Sequence, residues 1–448
     1  MSLTKVSYSM LSGGPYNVLD FGADPTGTND NSTVFQAAID AIVATGIPSV
    51  LKVPAGTYKF TGSFIINVGF VTFQCDRAVL DFSTFNIGYG YAIRLIGGNP
   101  LGGNPYNQVD SVVSGFKLKG PGISNGIGLY FNQEDFASNV GPAHTKISDV
   151  NISNFNNGVT IGTHTYLITF DHISIFDCYR GIYGAPGVVD EGENMRVLNS
   201  TIYGCTYGIT NESGDSDYNF FGVSFDFQSN TSVQIIAGQA SFTGCHFETT
   251  TKHVDTSSNT FTTFTGCIFI NTVAAYDKSI SNSGYMSIYG GRIAAADDAT
   301  DLVYSASGSR INIIGTHFQT ASASKYTVTG ANYYIYLPND GSIETNADYN
   351  TTGFVKARRY TSQNSATLTV LNTYVSLGVA SSGGLFAFRD STSGGTALFM
   401  ADTTAQSSVQ NTITGFEMAY TGGQMSIRVT SGTVPRAILW NFLQTNAS

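Results

Sequence analysis

Charge is what this chain lacks most. Only 12% of its 448 residues are Asp, Glu, Lys or Arg, and the 21 basic residues are outnumbered by 31 acidic ones. A net charge of −10 argues against a nucleic-acid partner, whose phosphates need a basic face. No run of 18 apolar residues occurs, so no membrane-inserted helix is expected. Met1–Leu11 has no signal-peptide pattern, so synthesis in a cytoplasm without the usual export is expected. Five cysteines do not make a secreted disulfide framework, and none has the CxxC-like spacing of a zinc site. They are expected to be reduced core residues, and no metal or cofactor is expected. There is a single tryptophan, Trp440.

What is abundant is a repeat. Ile152, Ile175, Ile202, Phe225, Phe247, Phe269, Ile293 and Phe318 follow one another at intervals of 22 to 27 residues. Five residues before each lie Ile147, Phe170, Val197, Phe220, Phe242, Phe264, Ile288 and Ile313. A repeat of this size belongs to a stacked architecture, in which each unit buries its face only against its neighbours. The repeats are rich in Ile, Phe, Val, Thr, Tyr and Asn and poor in Leu, Ala, Lys and Glu, which favours strands over helix pairs. The position two before each anchor is small or branched (Val150, Ile173, Ser200, Val223, Cys245, Cys267, Gly291, Thr316), so both point inward with the period of a strand. Gly222, Gly244, Gly266, Gly290 and Gly315 recur at minus three, where a corner needs permissive backbone. Short strands in coils of this length fit a parallel β-helix, whereas the Leu/Asn consensus of leucine-rich repeats is missing.

Before the coils, Pro25–Thr33 reads as a turn-rich loop with N-cap candidates. Asp24, Asn29 and Asp30 lack the Gly and distal Glu of a calcium loop and are expected to form a turn. Val34, Ala37, Ala38, Ala41 and Ile42 have helical spacing, and a helix there would cover the open end of a β-helix. Lys5–Met10, Val18-Leu-Asp-Phe-Gly-Ala-Asp24, Phe35-Gln-Ala-Ala-Ile-Asp40 and Val53-Pro-Ala-Gly-Thr-Tyr58 together resemble the N-terminal cap of the pectate-lyase-like superfamily, in the version found in bacteriophage tailspikes. The resemblance, with the coils, covers about residues 5–340. It implies an all-β chain with a right-handed parallel β-helix, a homotrimer, and cleavage of bacterial surface polysaccharide. On this reading 1–15 is a short segment attaching to a phage tail or baseplate protein, 16–60 the cap, and 61–352 the catalytic β-helix. Alternating strands and Gly/Ser turns in 353–448 suggest a C-terminal β-sandwich for trimerisation or glycan binding. The location implied is the virion.

Fold does not fix function, so the chemistry has to come from a site. Outward positions flank each anchor. Only two coils carry carboxylates one residue after the anchor, and they are consecutive: Asp226 and Glu248. Stacked coils would bring them about 5 Å apart, close enough to push one pKa up, as general-acid work requires. His246 shares their face. A second acidic group, Asp190-Glu191-Gly192-Glu193, lies in the interval of 27 residues, and Glu212, Asp215 and Asp217 follow one coil later. Glu193 and Asp217 are expected to be neighbours at one corner. Asp149, Asp171 and Asp177 read as turn or corner residues. Catalysis is therefore assigned to Glu193, Asp217, Asp226 and Glu248, with two of them essential. Substrate binding is assigned to Tyr203, Tyr207, His246 and Arg196 among the surrounding tyrosines. Two carboxyls suit glycoside hydrolysis. A polysaccharide lyase, using Arg180, Arg196, His246 or Arg292, and a non-catalytic glycan-binding adhesin stand as alternatives.

Overall fold

A computed structural model describes residues 14–98, 111–133, 141–188, 191–248, 251–271, 279–295, 303–306 and 308–320, and beyond these the backbone of strands between 328 and 444. Helix α1 spans Ser32–Ala44 and every other long element is a strand. The strands from the N-terminal region to Val328–Gly330 pair in parallel, each with the equivalent strand one coil away. The result is a parallel β-helix with three strands per coil.

In the coil around Phe225, the first strand is Asp217–Phe221, the second Ser224–Asp226 and the third Thr231–Ile235. The first and second strands form two continuous ladders that fuse early in the chain, where the long strands Val71–Asp81 and Ser111–Lys119 run through both. The third strands form a separate sheet of 11. Register is constant: Ile152, Ile175, Ile202, Phe225, Phe247, Phe269, Ile293 and Phe318 are direct partners from coil to coil. All the anchors from Ile152 to Ile293 are sealed from solvent, and so are the eight residues five before the anchors. Phe318 lies in the strand His317–Thr320, and its side chain is outside the described residues.

Constant register turns the core into columns of like residues. Phe220, Phe242 and Phe264 stack with centroids 4.7 and 4.8 Å apart. Phe225, Phe247 and Phe269 stack at 5.0 and 4.6 Å. The separation is that of hydrogen-bonded strands, so backbone pairing sets the ring spacing. Each stacked pair adds about 0.5–1.5 kcal/mol beyond burial. Cys75, Cys178, Cys205, Cys245 and Cys267 are buried free thiols.

The corner between first and second strands needs a left-handed residue in every coil. Gly222, Gly244, Gly266, Gly290 and Gly315 supply it, with φ between 60° and 67°. In the earlier coils Asp149, His172 and Asn199 take the same conformation. Asp149 is thus a corner residue as expected, and so is Asp177, left-handed at φ 51° just after the second strand Ser174–Phe176. Asp171 is not: it ends the strand Thr169–Asp171, where Lys146 and His172 pair with it at 2.8 and 2.9 Å.

At the N-terminal end, Phe35 of α1 packs among Tyr58, Phe60, Phe64 and Phe73, so the helix covers the apolar end of the column. The loop expected at Pro25–Thr33 contains a strand, Thr26–Asp30, paired with Thr57–Lys59. Asp24 turns the chain into it, accepting from the Thr26 hydroxyl and the backbone N–H groups of Thr26 and Asn29. Those bonds hold its carboxyl down at about 2.

Beyond residue 354 lies a second compact unit of antiparallel strands. It has one sheet of five strands and one of three. The strand Arg436–Gln444, which carries Trp440, lies between Asn364–Leu368 and Gly384–Asp390.

Candidate functional site

The three-residue second strands decide what is displayed. Their middle residue is the buried anchor, so both flanking residues face outward. Register then builds two outward ladders. One runs Phe176, Tyr203, Asp226, Glu248, Ile270. The other runs Ser174, Thr201, Ser224, His246, Ile268, Arg292.

Asp226, Glu248 and His246 converge where these ladders adjoin. One donor atom from each lies within 4.8 Å of the others. The His246 Nδ1 is 3.5 Å from the Asp226 Oδ1, and both side chains are partly exposed. The Ser224 hydroxyl sits 2.9 and 2.7 Å from the two Asp226 oxygens and can donate to either, which fixes the carboxylate's direction. Below Asp226, Tyr203 stacks on Phe176 with centroids 5.0 Å apart and planes 9° from parallel. Tyr203 is 37% exposed, so this is a ledge open to solvent. Partial burial and the charge of Asp177 raise its phenol pKa, which keeps it a neutral hydrogen-bonding group.

The other assigned residues lie elsewhere. Glu193 is exposed, in the turn after Gly192. Asp217 opens a first strand; its N–H donates to the Gly192 carbonyl at 2.8 Å and its carboxylate accepts from Asn219 at 3.2 Å. The two are neighbours at one corner, on the ladder of first strands, across the turn at Gly222 from the ladder that carries Asp226. Arg196 is also on the first sheet, exposed, with its Nε donating to Asn194 at 3.1 Å. Tyr207 opens a third strand, edge-to-face with Tyr179 at 5.5 Å, its hydroxyl accepting from Asn230 at 3.1 Å. Of the eight residues, Tyr203, Asp226, His246 and Glu248 therefore share one surface.

Two features stand outside the eight residues assigned to hydrolysis and substrate binding. Arg180 lies over the rings of Tyr183 and Tyr179 at 4.4 and 5.1 Å on the third sheet. Tyr183 donates to Glu212 at 3.0 Å, and burial together with that acceptor pushes its phenol up to about 12. Glu191, passed over beside Glu193, is fully buried. Its backbone bridges Thr165 one coil below. Burial pushes its carboxyl up to about 8, with the Ser213 hydroxyl pulling down and Asp215 pushing up. Nothing in the sequence separates it from Glu193; the difference is the left-handed turn at Gly192, φ 76°.

Comparison with known proteins agrees with this architecture. Residues 16–74 match the family described as rhamnogalacturonase A/epimerase, pectate lyase-like. Among curated proteins, none matches by sequence. The tailspike of Escherichia coli bacteriophage HK620, solved with a pentasaccharide, aligns over 99% of this chain and 97% of its own at TM-score 0.55 and 10% identity. The Acinetobacter phage vb_AbaP_AS12 tailspike aligns over 89% of this chain and 80% of its own, at TM-score 0.52 and 12% identity. The Dettilon tailspike covers 95% and 93%, at 0.51 and 12%. At such identities the likeness is one of fold.

Proposed function

We propose that this chain is a phage tailspike depolymerase that cleaves bacterial surface polysaccharide by endo-glycosidic hydrolysis, with Asp226 and Glu248 as the working carboxyls. One observation carries the reading: stacked carboxyls beside an aromatic ledge on one solvent-open face. A sugar ring lying on Tyr203 would present the next linkage to Asp226 and Glu248, one and two coils along.

The spacing supports a retaining mechanism. Carboxyls about 5–5.5 Å apart suit a double displacement, whereas about 6.5–9.5 Å leaves room for a water between them. One oxygen of Asp226 and one of Glu248 lie within 4.8 Å of each other, a closeness that favours the retaining arrangement. Asp226, held by Ser224, attacks the anomeric carbon. Glu248 protonates the departing glycosidic oxygen, then takes a proton from the water that releases the glycosyl-enzyme. The His246 Nδ1 stands 3.5 Å from Asp226, one coil along from Ser224.

The likeness to virion proteins supports a place on the phage tail, with the N-terminus as attachment. The outer face of the first sheet supports lateral association as a homotrimer. Phe261 and Tyr285 stack there at 4.9 Å while 55% and 41% exposed, and Phe221 and Tyr289 are exposed across the same sheet.

The test is digestion of purified capsular, exopolysaccharide and O-antigen preparations. New reducing ends without the ultraviolet absorbance of an unsaturated uronate support hydrolysis. Both signals together mean a lyase. Binding without either means an adhesin.

A further inference from the structure

We infer that Asp226, His246 and Glu248 form a binding site for a divalent transition-metal ion of the zinc class, which occupies the same carboxyls that cleavage needs. The donors are placed by backbone register: Ser224 is the partner of His246, and Asp226 of Glu248. Residues two apart on a strand face the same side, so an imidazole and two carboxylates project from adjacent coils.

The distances suit chelation. Bonds of about 2.1 Å in a tetrahedral site put donor atoms roughly 3.4 Å apart. The Asp226–His246 pair stands at 3.5 Å already. All three donors lie within 4.8 Å of one another, so closing the set asks for at most about 1.4 Å of approach between part-exposed side chains. A further group points the same way. Metal-bound carboxylates are oriented by hydrogen bonds from behind, and the Ser224 hydroxyl lies within hydrogen-bonding distance of both Asp226 oxygens.

The donor set selects the ion. Calcium and magnesium take oxygen ligands, whereas an imidazole with two carboxylates suits zinc and its neighbours. Three protein ligands leave one position open, as in sites that bind water or a substrate oxygen. On the two ladders, Tyr203 and Thr201 lie on one side and Ile270 and Ile268 on the other, so no cation neutralises the pair from an adjoining rung. Bound metal would take Asp226 out of nucleophilic attack and Glu248 out of proton transfer, so it inhibits cleavage; that consequence rests on the function proposed above, and the binding does not.

Zinc chloride titrated calorimetrically into the chelator-treated full chain tests the site. The expected result is one zinc per chain, bound at least tenfold more tightly than calcium. His246→Ala, confirmed folded by circular dichroism, should weaken zinc at least tenfold, while the exposed Asp76→Asn should not. Absence of saturable zinc binding, or equal affinity in His246→Ala, overturns the inference, even where Asp226→Asn abolishes cleavage and so upholds the catalytic reading. Zinc bound as expected with cleavage unimpaired upholds the site and overturns the catalytic reading of Asp226 and Glu248.

Discussion

Replacing Glu191 with Gln should make the β-helix more resistant to alkali. The carboxyl is sealed in the wall of the coil, neither oxygen makes a hydrogen bond of normal geometry, and burial pushes it from 4.5 up to about 8. A folded state that holds this proton more tightly than the unfolded chain gains nothing from it below about pH 4.5, where both are protonated. As pH rises towards 8 the unfolded chain ionises freely and the folded one does not, so stability falls across that window and levels off above it. At about 1.4 kcal/mol for each tenfold change in proton affinity, the full loss is roughly 5 kcal/mol. An unfolding entropy near 0.9 kcal/mol/K for a chain of this length turns that into about 5 °C of Tm.

The groups facing Glu191 are Ser213 and Asp215, with the half-buried phenol of Tyr183 and the buried phenol of Tyr218 feeling its charge. None of these is changed by the substitution. The readout is the difference in thermal midpoint between wild type and Glu191→Gln, measured from pH 4.5 to 8.5 at one scan rate. That difference should move in favour of the variant as pH rises, by roughly 5 °C from end to end. Using the difference cancels the ordinary titration of the six histidines. Parallel curves for the two proteins would refute the buried, protonated carboxyl.

Phe247→Ala should cost about 3–5 kcal/mol, since Phe247 is fully buried between Phe225 and Phe269; a denaturant midpoint near wild type would contradict the column of rings. Gly291→Ala should cost at least about 2 kcal/mol, because φ is +73° and a Cβ would lie 2.0 Å from the Cys267 carbonyl oxygen; an alanine variant with native melting would show that the coil can open there. Asp226→Asn and Glu248→Gln should each cut turnover at least about 10²-fold while polysaccharide binding persists, and proton NMR of early products should show retained anomeric configuration; inverted product would place the carboxyls in the wrong mechanism. Sedimentation should give three times the chain mass of 47.6 kDa, and a monomer would remove the trimer.

The columns were legible because a stacked coil leaves no choice at an inward position. Every rung sees the rung above and below, so Ile or Phe at one anchor implies an apolar neighbour at the next. The same arithmetic extends to the outward ladders, which is why Asp226 and Glu248 could be paired from spacing alone. It fails where the interval changes. The 27 residues from Ile175 to Ile202 contain Glu191 and Glu193, and no count from either anchor tells which of the two enters the wall. Gly192 decides, by a left-handed turn that glycine permits and does not dictate. Corners mislead in another way. Tyr203 and Tyr207 are four residues apart, yet they belong to different sheets, because the chain turns at Gly204 with φ 62°. Proximity along the strand direction is therefore poor guidance in this fold, and proximity one coil away is good guidance. A functional surface in such a chain is read down the ladders, from Phe176 through Tyr203 and Asp226 to Glu248, and the residues that complete it are to be sought about one repeat away in sequence.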